Sequence, residues 1–167
     1  GEVVTTMFST DITNGQGNTF YVAPVGSDNN TLANGGNAGL HPDTPFLTIT
    51  KALGTATSGD TIIVAPGEYQ EAFPMTIPDG VTLRGTNLRS TSVKPTSITN
   101  SNTAFILSGD CHISDMTIKD FYYDSSNDDG YAFEVVSSMN STKSPYVERI
   151  TVNTKGSVTS GSDPYGY

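Results

Sequence analysis

The 167-residue chain has one cysteine and no tryptophan, and only 15% of its residues are charged. A lone Cys111 excludes an internal disulfide, so packing and hydrogen bonds must hold the fold. Its simplest reading is a small buried residue. Two histidines far apart, His41 and His112, do not make a structural zinc site with that single thiol. No apolar run approaches the length of a membrane span, which argues against membrane insertion. The opening GEVVTTMFST lacks the charged and apolar regions of a signal peptide. Basic side chains are also scarce, with 8 against 17 acidic ones and a net charge of -9. Such a surface repels phosphate backbones, which excludes nucleic acid as a partner. It disfavours an acidic polysaccharide too, unless a cation or a local basic patch intervenes.

What the chain does have is glycine, serine, threonine and asparagine, in the texture of a turn-rich all-β protein. Its length suits one domain with a real core. Residues 1–18 read as a flexible N-terminal arm, with TNGQGNT as its hinge, and residues 19–167 as the folded part. TFYVAP gives a first short strand, followed by an irregular loop dense in Gly and Asn. Thr48 or Thr50 can cap a short helix with Ile49, Ala52, Leu53 and Ala56 at helical spacing, and Ser58-Gly59-Asp60 stops it. TIIVAP then reads as a buried strand, ended at Pro66-Gly67.

From Tyr69 onward the chain is a series of short strands: MTIPDGVTLRG, TSVKP, TAFILSGD, CHISDMTIKDF, YAFEVVSS and YVERITVNTKG. ISDMTIKD from Ile113 aligns with VERITVNT from Val147, so that Ile113 matches Val147, Met116 matches Ile150 and Ile118 matches Val152. TAFILS aligns with YAFEVV in the same way. Repeated short strands with irregular turns point to a solenoid of stacked parallel strands, whose inward residues are buried only by neighbouring coils. Its first coil needs a lid, because an open end exposes apolar cross-section and unpaired backbone. PFLTITKALGTA is expected to be that lid.

The stretch YVAPVGSDNN through HPDTPFLTITKALGTATSGDTIIVAPGEYQEAFPMTIPDGVTLRG resembles the opening segment of right-handed parallel β-helix proteins of the pectin-lyase-like superfamily. The resemblance covers Tyr21 to Gly85. It implies a right-handed parallel β-helix with a short N-terminal capping helix and an extended N-terminal arm. The last residues, GSVTSGSDPYGY, hold no amphipathic helix or closing hairpin, so the coil pattern is expected to continue past Tyr167. Polysaccharide lyases, bacterial surface proteins and virion proteins of tailed bacteriophages share this opening. The acidic, Ser/Thr/Asn-rich coils are most similar to virion structural proteins of marine phages.

A lyase of this fold needs a Lys or Arg base and a cation to neutralise a uronate carboxylate. The bases on offer are Lys51, Arg84, Arg89, Lys94, Lys119, Lys143, Arg149 and Lys155, none of them in a catalytic motif of the family. Arg84, Arg89 and Lys94 come nearest to a basic patch, against a plain reading as solvated outward side chains. Asp115 falls opposite Arg149 in the repeat, which suffices for a stacked surface ion pair. The acidic loop containing Asp124, Asn127, Asp128 and Asp129 offers oxygen ligands for Ca²⁺, although its register is wrong for an EF-hand and a solvated turn is the default. Asn29-Asn30-Thr31 and Asn140-Ser141-Thr142 are sequons that matter only in a glycosylating compartment. Tyr21, Tyr69, Tyr122, Tyr123, Tyr131 and Tyr146 could stack on sugars if exposed, or else on one another within the coils.

The expectation from sequence is therefore a non-enzymatic structural or receptor- and glycan-engaging component of a phage virion, as in a tail fibre or tailspike-like rod. A virion or extracellular location goes with it. Partners would be copies of itself, a trimer among the arrangements, other virion proteins, and a cell-surface glycan. No cofactor is expected apart from the Ca²⁺ candidate. A polysaccharide lyase or other carbohydrate-active enzyme and a bacterial surface adhesin are the alternatives.

Overall fold

The computed structural model describes residues 17–97, 103–121, 131–136 and 142–154, with no side-chain description for Phe121 and Thr154. Two of its parts begin where alternation of polar and apolar residues predicts them. Strand β1, Thr19–Val22, buries Phe20 and Val22 and turns Thr19 and Tyr21 outward. It pairs parallel with β2, Thr61–Val64, in the register Phe20↔Ile62 and Val22↔Val64. Asn18, inside the expected hinge, is already fixed: its N–H donates to Asp60 Oδ1 at 2.7 Å.

Between these strands lies helix α1, Ile49–Thr55. Ile49, Ala52 and Leu53, spaced as one helical face, are buried. Its N-terminal donors are all met. Thr48 Oγ1 accepts from the Lys51 N–H at 3.1 Å, and Asp28 Oδ1 accepts from the N–H groups of Leu47 and Thr48 at 2.9 and 3.0 Å. Glu71, reaching up from the coil below, accepts from the Ile49 N–H at 2.6 Å and the Thr50 hydroxyl at 2.6 Å.

After α1 the chain winds. Strands β2, β3 (Gly67–Glu71) and β4 (Met75–Ile77) are followed by β5 (Thr82–Gly85), β6 (Thr91–Pro95) and β7 (Phe105–Leu107). Each of the second set lies parallel on its counterpart: β5 on β2, β6 on β3, β7 on β4. Strand β8, His112–Phe121, is long enough to continue both the β5 and the β6 ladders. Strands β9 (Phe133–Val135) and β10 (Tyr146–Thr154) stack on β7 and β8. The all-β architecture is thus a parallel β-helix, with one short helix lying against β1, β2, β3 and β4.

Inward residues form continuous ladders. Phe20, Ile62, Leu83 and Ile113 stack in register, as do Tyr69, Val93 and Ile118, and Ile77 with Leu107. All are buried. Burial pushes the Tyr69 hydroxyl up to about 12, and its O–H donates to the Ala65 carbonyl at 2.8 Å. Phenylalanines stack between coils as well, Phe105 on Phe133 with ring centroids 6.1 Å apart. At one corner the turns stack through aspartates: Asp79 Oδ1 accepts the Asp110 N–H at 2.9 Å, and Asp110 Oδ1 accepts the Ser144 N–H at 2.8 Å. Gly109 sits in that corner at φ 57°, where a Cβ would come 2.0 Å from Asp79 Oδ1.

Candidate functional site

The outward face of the stacked strands β5, β8 and β10 carries two polar ladders that follow directly from the strand register. Thr82, His112 and Tyr146 form one; Arg84, Ser114 and Glu148 form the other. Within β8, between the part stacked on β5 and the part stacked on β6, and at the matching place in β10, Asp115 and Arg149 adopt left-handed backbone, with φ of 59° and 47°. Such a conformation costs an ordinary side chain roughly 1–2 kcal/mol, so the surrounding coils impose it. Gly85 occupies the equivalent corner below, and a Cβ there would stand 2.0 Å from the Asp115 carbonyl oxygen.

At this corner Arg149 grips Asp115 with two nitrogens, Nε to Oδ1 at 2.5 Å and Nη2 to Oδ2 at 2.8 Å, while Nη1 donates to Glu148 Oε2 at 2.6 Å. The Arg149 hydrogen bonds hold the Asp115 carboxyl down to about 2 against the opposing effect of burial, with the Arg149 and Arg84 charges acting in the same direction as the hydrogen bonds. Arg149 is correspondingly raised. A carboxylate so stabilised is a poor proton acceptor, and the guanidinium beside it stays charged. His112 Nε2 lies 3.3 Å from Glu148 Oε1, off the line of a hydrogen bond, and its ring is 5.1 Å from that of Tyr146.

The ion pair expected from the repeat is therefore present. Arg84 and Lys94 do not share a ladder: Arg84 lies on β5, stacked between β2 and β8, whereas Lys94 lies on β6, stacked on β3, and shares Glu68 with Lys119. The corner at Gly85 separates them, and Arg89 sits in the turn between, its N–H donating to Asn87 Oδ1 at 3.0 Å. Lys94 and Lys119 converge on Glu68, whose carboxyl they lower. Lys143 pairs with Asp79, lowering it and being raised in return. Lys51 stands 5.9 Å over the Phe46 ring. Lys155 lies outside the described residues, as do the Ca²⁺ candidates Asp124, Asn127, Asp128 and Asp129, and Tyr122 and Tyr123. No group of three or more His, Cys, Asp or Glu among the described residues is arranged to hold a metal.

Among the tyrosines, Tyr69 is buried, while Tyr131 and Tyr146 are exposed, at 54% and 58%. Cys111 is buried, its thiol pushed up by burial. The His112, Tyr146 and Glu148 contacts were missed by sequence reasoning, yet the alignment that sets Asp115 against Arg149 also sets His112 against Tyr146 and Ser114 against Glu148.

Residues 31–92 match a family described as a protein of unknown function, DUF1565. No curated protein matches the chain. Among solved structures, the pectin methylesterase PemA from Erwinia chrysanthemi is similar over 81% of this chain at 16% identity, with a TM-score of 0.52. The chain spans 45% of that structure's length. At that identity the likeness is one of fold, and the chain shares a parallel β-helix with that structure.

Proposed function

We propose that this chain is a structural rod, a right-handed β-helix displayed on a virion as part of a tail fibre or tailspike-like assembly, which engages a cell-surface glycan without cleaving it. The observation that carries the reading is the use made of its cations. Lys94, Lys119, Lys143 and Arg149 are held in ion pairs that reach between coils. A lyase would need such a group free to take a proton from its substrate. These four tie one coil to the next, and the exposed Arg84 and Arg89 are the cations that the polysaccharide panel below tests for such a role.

The outer face of β5, β8 and β10 is where a glycan would lie. Tyr146 offers an exposed ring backed by His112, and the exposed Arg84 lies on the neighbouring ladder. Copies of the chain and other virion proteins are the remaining partners in this reading.

A panel of neutral and acidic polysaccharides, with and without Ca²⁺, tests it. Retention of a glycan without unsaturated or hydrolysed products is the expected result, with weaker retention for Tyr146→Ala. Turnover of any polysaccharide would replace the structural reading with a carbohydrate-active enzyme. Antibodies to the chain are expected to label intact virions.

A further inference from the structure

The strand register orders more of the outer face than the coils around Asp115. Thr19, Thr61, Thr82, His112 and Tyr146 follow one another rung by rung through β1, β2, β5, β8 and β10. Tyr21, Ile63, Arg84, Ser114 and Glu148 form the ladder beside them. Stacked strands lie about 4.8 Å apart, so the face runs for about 19 Å from β1 to β10.

Its two ends carry tyrosines. Tyr21, half-buried, and Tyr146, exposed at 58%, both project outward. Such a ring offers an apolar body and a polar tip, a surface on which a sugar ring packs.

Between the tyrosines, three threonine hydroxyls are spare. Threonine suits a strand whatever its task, because its branched side chain packs well on a pleated surface. Use of the hydroxyl is what separates these threonines from those around α1. Thr48, Thr50 and Thr57 donate theirs to Asp28, Glu71 and Asp60. The hydroxyls of Thr19, Thr61 and Thr82 bond to no other group among the described residues.

Charge narrows the occupant. The chain carries -9 overall, yet on this face Arg84 and Arg149 balance Asp115 and Glu148. The first two rungs, Thr19 with Tyr21 and Thr61 with Ile63, hold no charge. A polyanion meets repulsion from the rest of the chain. A neutral glycan brings hydroxyls that can both donate to and accept from threonine.

We propose that this face binds a neutral polysaccharide in extended conformation, laid along the rod with about one sugar per coil, its ends stacked on Tyr21 and Tyr146 and its hydroxyls bonded to Thr61 and Thr82. The inference rests on the glycan-engaging reading above and adds the class and direction of the glycan. Its geometric basis is the step between coils, which is close to the length of one sugar in an extended β-1,4-linked chain.

Oligomers of β-1,4-linked glucose and of β-1,4-linked N-acetylglucosamine, from disaccharide to hexasaccharide, are titrated into the full chain by calorimetry. In at least one series the affinity is expected to rise with each added sugar up to the pentasaccharide, which spans the ladder from Thr19 to Tyr146, and then to level off. Thr61→Val combined with Thr82→Val removes two hydroxyls and keeps the branched shape of both side chains. It is expected to weaken pentasaccharide binding about tenfold with the melting temperature unchanged. An affinity indifferent to length, or equal in the parent and the double variant, would overturn the proposal. The length series on the unaltered chain decides it should the variant fail to fold. Binding of neither series, with another polysaccharide of the panel retained, overturns this inference and leaves the glycan-engaging reading standing; retention of none removes both.

Discussion

A carboxylate as buried as that of Glu71, at 3% exposure, persists in an interior only because donors surround it, here two helix N–H groups and the Thr50 hydroxyl. Glu71→Ala leaves those donors without acceptors and is expected to cost about 2–3 kcal/mol, read from the denaturant midpoint. The residue also shows where sequence reading stops. Period-2 alternation through GEYQE puts Tyr69 and Glu71 on the inner face, and a charged inward residue contradicts the pattern until the helix terminus is placed above it. Asp115 behaves oppositely. It lies at the surface, and its partner 34 residues away was legible from the repeat. Because its folded value, about 2, lies below the ordinary 3.8, the ionised form favours the fold above pH 4, and that contribution disappears as the pH falls towards 2. In Arg149→Met the Asp115 midpoint, followed by NMR, is expected to rise towards the ordinary value.

Elements here are fixed by stacking more than by propensity. Strand positions were readable because turn residues and alternation recur, and the register Ile113↔Val147, Met116↔Ile150, Ile118↔Val152 came directly from the internal repeat. The separation of Arg84 from Lys94 was not readable. It depends on a corner at Gly85 that neighbouring sequence positions do not reveal. That corner gives a sharp expectation: Gly85→Ala drives a methyl into the Asp115 backbone, and overpacking of this kind costs about 1–3 kcal/mol. The capping helix gives another. Leu53 is buried against the first coil, and Leu53→Asp is expected to lower stability by about 4 kcal/mol. A melting temperature equal to that of the parent would remove the helix from the role of lid.

At the scale of the whole molecule, each coil is completed by the next. Inward residues of the last described strands show this: Val135, Val147 and Val152 are exposed at 50%, 38% and 38%, whereas Leu107, Ile113 and Ile118, one coil earlier, are buried. Parallel stacking therefore carries the packing, the coil-to-coil ion pairs and the outer ladders of the candidate glycan face alike. Methyl NOEs on the isotopically labelled chain test it most directly. Stacked parallel coils predict contacts from Leu83 to both Ile62 and Ile113, and from Ile113 to Val147. Hα–Hα NOEs of an antiparallel hairpin between β4 and β5, without any contact between Leu83 and Ile113, would contradict the account.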